Sequence, residues 1–252
     1  MIRKYGWRPQ TPDFRDLSYG IIAPAEIKIP QVKYLIYPPV QDQGDEGSCV
    51  FNAATSAMEY CEIDQAREKM MMFSRQFAYY HYRETYGEVL QDNGAVIRDA
   101  LKLLTRDGVC LEKIWPYDEA KFAWKPRAEA YENAKGHKIE SYYAIDCPDT
   151  TDGLWNMLTC LAEGFPFICG ISVYSSLETD EVARTGNIPF PNRDEKFLGG
   201  HCVYIGGYDQ HKKVFHGQNS WGEGWGNKGR FTIPFAYLTH PGLAADFWTI
   251  RR

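Results

Sequence analysis

The sequence predicts an α+β protein built from two lobes. Apolar residues recur at helical spacing in the first half of the chain, whereas the second half consists of short strand-like runs separated by turn residues. Because helices and strands are segregated along the chain, we expect a mainly helical lobe and a mainly β lobe with a cleft between them. The predicted parts are an N-terminal extended segment (residues 1–38), a helical lobe (39–135) and a β lobe (136–252).

Three helices follow from the apolar spacing. The first begins at Cys49 and extends to about Lys69, the second covers about Ala95–Arg106, and the third covers about Gly153–Glu163. The stretch WPYDEAKFAWKP between the second and third helices is rich in Pro and aromatic residues, and it predicts a loop.

The strands of the second half are predicted from runs rich in β-branched and aromatic residues. They are FPFICGISVY, HCVYIGGYD, KVFHGQNSW, GRFTIPFAY and DFWTIRR. A long loop, ETDEVARTGNIPFPNRDEKF (residues 178–197), is expected between the first two of them.

Composition excludes several classes of protein. The 252 residues carry a net charge of -5 with a pI near 5.7, so a nucleic-acid partner is not expected, since phosphate contacts need a basic surface. The N-terminus has no apolar signal-peptide core, and the longest apolar run, Phe165–Tyr174, is too short to cross a bilayer. We therefore expect a cytoplasmic monomer without a membrane partner.

Cysteine usage argues against a metal site. The seven cysteines form no C-x-x-C pair, which argues against a structural zinc. We expect neither a metal nor an organic cofactor. Their number is odd and no N-glycosylation sequon is present, which favours reduced core cysteines over a disulfide framework.

Cys49 stands where the Gly-rich segment QDQGDEGSC becomes a helix. A thiol at this place is either a small apolar core residue or a nucleophile, because a helix N-terminus stabilises a thiolate. A nucleophile also needs a base and a group that orients the base. His201 in GGHCVYIGGYD and Asn219 in GQNSWGEGWG are the candidates, and Trp221 is placed to shield their hydrogen bond.

The segments QDQGDEGSC, GGHCVYIGGYD and QNSWGEGWG resemble the Cys, His and Asn segments of the papain-like cysteine peptidases, in the same order. The resemblance implies a papain-like fold, with a helical lobe and a β-barrel-like lobe flanking an active-site cleft. It implies that Cys49 is the nucleophile, His201 the general base and acid, and Asn219 the residue that orients it. Gln43 would join the Cys49 backbone N–H in the oxyanion hole.

The same resemblance suggests where a peptide substrate binds. The segment beginning DNGAVIRDALKLL is similar to the family stretch whose Gly-rich loop pairs with the substrate backbone, and Gly94 would supply that edge. The remaining candidates for substrate binding are Val96, Ile97, Leu198, Cys202 and Trp221.

The chain departs from the family pattern at informative positions. Glu46 and Asp92 stand where secreted members have two bonded cysteines, which fits a reducing compartment. Val50 replaces the usual aromatic residue after the nucleophile, and Gly200 precedes the histidine where Asp or Asn is frequent.

The implied reaction is hydrolysis of peptide bonds through a thioester acyl-enzyme, by an endopeptidase without a long inhibitory pro-domain. Two alternatives stay open. One is an acyl-transfer enzyme, a transpeptidase or amidase, that uses the same triad. The other is a non-catalytic papain-fold binding protein, against which the complete set of four site residues argues.

The N-terminal strap, Met1 to about Gln31, is rich in prolines and large aromatic side chains, among them Tyr5 and Trp7. Such a segment cannot form an independent helix and gains most by burying its aromatics on a surface. We expect it to be ordered and to touch the cleft near Gly94 and Leu198. A strap across the back of the β lobe is the alternative.

Overall fold

The computed structural model describes residues 4–64, 71–145 and 151–252. Its helices lie mostly in the first half of the chain. They are α1 (Cys49–Asp64), α2 (Arg75–Thr85), α3 (Ile97–Arg106), α4 (Ala128–Ala134), α5 (Thr151–Glu163), α6 (Asp180–Thr185) and α7 (Phe235–Leu238). Short 3-10 turns stand at Tyr19–Ile21, Glu119–Lys121 and Ser175–Glu178.

The strands form one seven-stranded antiparallel sheet. They are β1 (Val32–Tyr34), β2 (Ser141–Ala144), β3 (Phe167–Tyr174), β4 (Phe197–Asp209), β5 (Val214–Gln218), β6 (Arg230–Pro234) and β7 (Ala244–Arg251). The strand order is β2-β7-β3-β4-β5-β6, and β1 pairs with the end of β4. The long central strand β4 therefore connects the N-terminal segment with the rest of the sheet.

The predicted elements are confirmed with shifted bounds. All five predicted strands are present, and β4 begins at Phe197 because the FLGG stretch before His201 pairs with β3. The first helix is described to Asp64, and the predicted continuation to Lys69 lies outside the described residues.

Two helices were not predicted in the helical half, and part of a predicted loop is helical. The missed helices are α2 and α4. The segment 178–197, expected to be a loop, contains α6, which Thr179 caps by accepting a hydrogen bond from the Val182 N–H.

Helix α1 lies at the centre of the molecule. Its residues 49–62 are all buried, so the helix is enclosed on every side, and it packs against β4, α2 and α3. The Ser48 carbonyl accepts from the N–H groups of Phe51 and Asn52 and thereby closes the first turn. The result is a rigid helix whose first residue, Cys49, faces β4.

No helix among the described residues is long and apolar enough to cross a membrane.

Candidate active site

Cys49 meets the sheet beside His201. The N–H of Cys202 in β4 points at the Cys49 Sγ at 3.4 Å, so the sulfur lies one residue along the strand from the imidazole. The Cys49 side chain is fully buried. The structure thus brings the first two predicted site residues together, although they are far apart in the sequence.

His201 is hydrogen-bonded to Asn219. Its Nε2 and the Asn219 Oδ1 are 2.8 Å apart, in a buried hydrogen bond. Asn219 follows β5, the neighbour of β4, and its N–H donates to the Gly229 carbonyl at 2.9 Å. Because Nε2 faces the amide oxygen, Nε2 carries the proton in neutral His201, and Nδ1 is the basic nitrogen.

Trp221 covers the His201 ring. The two ring centroids are 4.9 Å apart with an interplanar angle of 30°, and Trp225 packs edge-on against Trp221 at 5.2 Å. Trp221 is 3% exposed. The indole therefore keeps water away from the His201–Asn219 hydrogen bond, which strengthens it.

Gln43 is fixed by contacts on both ends of its side-chain amide. Its Oε1 accepts from the Ser220 Oγ at 2.6 Å, and its Nε2 donates to the Glu46 carbonyl at 2.7 Å. The backbone is held as well, because the Gln43 N–H donates to the Ser220 carbonyl at 2.9 Å. The buried Nε2 thus has one defined direction, which is what an oxyanion donor requires.

Asp92 ties the Cys49 loop to the facing loop. Its carboxylate accepts from the Gly47 N–H at 3.0 Å, from the Tyr79 hydroxyl at 2.5 Å and from the Lys4 ammonium at 2.7 Å. Nearby, Glu46 accepts from Gln76 at 3.0 Å, and burial raises its pKa to about 7. Polar contacts of Glu46 and Asp92 therefore stand at the two positions that bonded cysteines occupy in the secreted members of the family the sequence resembles.

The N-terminal strap is described from Lys4 onward, and its residues 6–8 form hydrogen bonds in the cleft. The Ala95 N–H donates to the Gly6 carbonyl at 2.7 Å, and the Trp7 N–H donates to the Gly200 carbonyl at 2.9 Å. The strap is therefore hydrogen-bonded to both walls, and the expectation that it touches the cleft holds. Its backbone hydrogen bonds in the cleft are to Ala95, the residue after Gly94, and to Gly200, two residues after Leu198.

Strap residues also cover the catalytic candidates themselves. The Tyr5 ring packs edge-on against His201 and Trp221, at centroid distances of 6.1 and 6.2 Å. The Lys4 carbonyl accepts from Gln43 Nε2 at 3.2 Å. In this form the Cys49 side chain is not exposed to solvent.

Burial also sets the protonation state of the nucleophile candidate. Removal from water raises the pKa of the Cys49 thiol to about 11, although backbone N–H groups, among them those of Cys202 and Gly6, oppose the rise. The covered site therefore holds a neutral thiol.

The predicted substrate-binding residues separate into two groups. Gly94, Cys202 and Trp221 lie at the cleft; a Cβ atom at Gly94 would be 2.0 Å from the Gly6 carbonyl oxygen. Ile97 is fully buried in the core and Leu198 is partly buried against it. Val96 is half-buried as the N-cap of α3. Only the first group is brought to the strap and the sulfur.

Three residues at the site were missed from the sequence. Ala95 supplies the backbone edge next to Gly94, Ser220 anchors Gln43, and Asp246 of β7 accepts a hydrogen bond from the Trp7 indole. The position of Ser220 directly after Asn219 was an available signal. Asp246 gave none, because a lone acidic residue at the start of a strand is common.

Comparison with known proteins agrees with this architecture. The model of the papain family cysteine proteases matches residues 23–244. An uncharacterized peptidase C1-like protein, L477, from Acanthamoeba polyphaga mimivirus is 40% identical over 213 residues, which cover 83% of this chain and 68% of that protein.

Solved structures share the fold. Xylellain, a cysteine protease from Xylella fastidiosa, superposes with a TM-score of 0.87 at 35% identity, over 99% of this chain and 96% of that chain. Digestive procathepsin L 3 of Tenebrio molitor larval midgut superposes with a TM-score of 0.74 at 18% identity, over 100% of this chain and 76% of its own, and supports the fold alone. The chain has a papain-like fold and belongs to the papain family of cysteine proteases, and so to the hydrolases.

Proposed function

We propose that the chain is an endopeptidase that cleaves peptides or proteins through a Cys49–His201–Asn219 triad. The observation that carries the proposal is the 2.8 Å His201–Asn219 hydrogen bond, formed one residue along β4 from the N–H that points at Cys49 Sγ. A thiol, an imidazole and an amide oxygen hydrogen-bonded to the imidazole are therefore neighbours in a buried site, and these are the groups that a nucleophile, its base and an orienting residue require.

In the proposed mechanism His201 Nδ1 takes the Cys49 proton, and the thiolate attacks the peptide carbonyl carbon. The oxyanion is held by the Gln43 Nε2 and the Cys49 N–H, in a site where water does not compete. His201 then protonates the amine as the C–N bond breaks, which leaves a thioester on Cys49. Water attacks the thioester, gives its proton to His201, and releases the acid as the C–S bond breaks.

The strap supports a polypeptide substrate. It is an extended chain held by backbone hydrogen bonds on both walls, through Ala95 and Gly200, and such bonds are independent of side-chain identity. An internal stretch of a substrate offers the same groups. The strap and the substrate compete for these edges, so the proposed enzyme is latent while the strap is in place.

The test uses the full chain with Gly6→Ala. A Cβ at residue 6 would lie 1.9 Å from the Gly47 carbonyl oxygen, so this substitution forces the strap out of the cleft. Peptides blocked at both ends are incubated with the variant and the products are identified by mass spectrometry. Cleavage at internal bonds supports an endopeptidase, whereas an exopeptidase needs a free terminus.

Two additions separate the alternatives. Cys49→Ala in the same chain should abolish cleavage, while Cys110→Ala, which removes another buried thiol, should not. An added amine nucleophile distinguishes hydrolysis from transfer, because a transpeptidase incorporates the amine into its product. Absence of any turnover by a folded Gly6→Ala chain would favour a binding protein and contradict the proposal.

A further inference from the structure

Trp7 of the strap fills a pocket in the wall of the cleft. Its side chain is 8% exposed. The indole lies on Gly170 of β3 and Gly200 of β4, where a Cβ atom would be 1.9 and 2.7 Å from ring carbons. The two glycines therefore make a flat floor that fits a planar side chain and leaves no room for a side chain of their own.

One wall of this pocket carries an acidic group. The Asp246 Oδ2 accepts a hydrogen bond from the Trp7 Nε1 at 2.9 Å and another from the Gln10 N–H at 2.9 Å. Asp246 follows Ala245, the residue that pairs with Gly170, so the backbone places the carboxylate beside the glycine floor. Both donors belong to the strap, so displacement of Trp7 and Gln10 would remove both hydrogen bonds.

Among the residues that the structure describes, no cation contacts this carboxylate. Arg98 acts on Asp246 electrostatically, but its guanidinium is occupied by Asp16, at 2.9 Å from Nε, and by the Thr11 carbonyl at 2.9 Å. Within the described parts of the chain, the hydrogen-bond donors to Asp246 are thus the neutral N–H groups of Trp7 and Gln10. A cationic donor makes a hydrogen bond about twice as strong as a neutral one.

We propose that Asp246 determines substrate specificity, because the pocket vacated by Trp7 binds an arginine side chain of the substrate. This proposal rests on the proposed peptidase function. The planar guanidinium lies on the Gly170–Gly200 floor as the indole does, and it donates N–H groups to the Asp246 carboxylate. An apolar side chain leaves that half-buried carboxylate without a donor, which costs binding free energy. The strap is held by the same contact, with tryptophan in the place of arginine.

The first test needs no turnover. Full chains carrying Trp7→Arg, Trp7→Phe or Trp7→Leu are alkylated with iodoacetamide, and modification of Cys49 is followed by mass spectrometry of its peptide. Phe and Leu lack the N–H donor, so their straps should open and Cys49 should react at least about tenfold faster than in Trp7→Arg. Equal rates, or slower reaction in the Phe and Leu variants, would overturn the proposal.

The second test measures substrate preference. The Gly6→Ala chain is assayed with fluorogenic peptides in which each residue before the scissile bond is varied. At one position arginine should exceed leucine and phenylalanine by at least about tenfold in kcat/KM. Asp246→Asn should remove that preference, and Asp107→Asn, a carboxylate paired with His81 away from the cleft, should keep it.

Asn is the appropriate replacement because Asp246 has a φ of 58°, a conformation that Asn adopts more readily than most residues. Thermal melting verifies that the variant folds, and Asp246→Glu serves as a second variant that retains the charge and the arginine preference. An arginine preference that persists in Asp246→Asn, or a preference for leucine in the parent, contradicts the proposal. If the Trp7 variants are alkylated at Cys49 in the expected order but no peptide is cleaved, the peptidase function is refuted and the arginine-binding pocket is supported.

Discussion

The Lys4 carbonyl accepts its hydrogen bond from the side-chain amide of Gln43, at 3.2 Å. Gln43 is the residue expected to bind the oxyanion, so a strap carbonyl occupies the donor that a reacting substrate would need. The strap therefore does more than block the entrance, because it engages the group that would stabilise the transition state in the proposed mechanism.

The first prediction concerns release of the strap. Gly6→Ala should raise peptide turnover by at least about tenfold over wild type, because the added Cβ cannot coexist with the Gly47 carbonyl. Turnover is measured with a quenched fluorescent peptide. Gly136→Ala is the matched control, since the nearest atom there is at 3.6 Å, and it should behave as wild type. Equal activity of the two variants would show that the strap is not inhibitory.

The second prediction identifies Ser220 as a positioning residue. Ser220→Ala in the Gly6→Ala chain should lower kcat about tenfold and change KM little, because the Gln43 amide loses the contact that fixes its direction. Ser220→Thr retains the hydroxyl and should restore most of the rate. Ser172→Ala, whose hydroxyl contacts the Gly242 carbonyl, is the control. A Ser220→Ala effect on KM alone would contradict the assignment.

The third prediction follows from the buried thiol. Burial raises the pKa of Cys49 to about 11 in the covered form, and hydration of the open cleft should lower it. The rate of Cys49 alkylation, measured against pH, should therefore have its inflection at lower pH in Gly6→Ala than in wild type. Coincident profiles for the two proteins would refute the link between the strap and thiol protonation.

The fourth prediction concerns stability against pH. Burial raises the pKa of Glu59 from 4.5 to about 8, although the Phe73 N–H and Arg75 favour its ionised form. The folded state then binds the proton more tightly than the unfolded state. This contribution to stability is complete below about pH 4.5 and is lost as the pH rises to about 8.

Melting temperatures recorded from pH 4.5 to 8.5 provide the measurement. Glu59→Gln cannot ionise. The melting temperature of the variant minus that of wild type should therefore increase as the pH rises through this window. Glu132→Gln, at an exposed carboxylate paired with Lys135, should run parallel to wild type. A constant difference between Glu59→Gln and wild type would contradict the assigned titration.

Local sequence patterns were sufficient for most of the sheet. The runs that became β3 to β7 are rich in β-branched and aromatic residues, and Gly, Pro and Asn mark their ends. Helix α2 was missed because RQFAYYHYRET contains five aromatic or imidazole side chains that are equally typical of strands. Its helical state is stabilised by burial against α1 and by the Ser74 cap.

The site residues could be predicted only where they belong to a recognisable sequence motif. Cys49, His201, Asn219 and Gln43 stand in recognisable segments, and the structure brings them together. The Asp246 pocket depends on β7 lying beside β3 and on a strap residue more than two hundred positions away. Neighbourhoods of that kind arise from tertiary packing, which spacing along the chain does not encode.

The pairing of β1 with β4 has a consequence for competition. Val32–Tyr34 keeps the strap attached to the sheet, in register with Gly207–Asp209, even when residues near Gly6 leave the cleft. The strap therefore acts as an intramolecular ligand, whose effective concentration over a short tether is on the order of millimolar. Dilution cannot lower that value, so a substrate must either bind with compensating affinity or arrive after the tether has been cut.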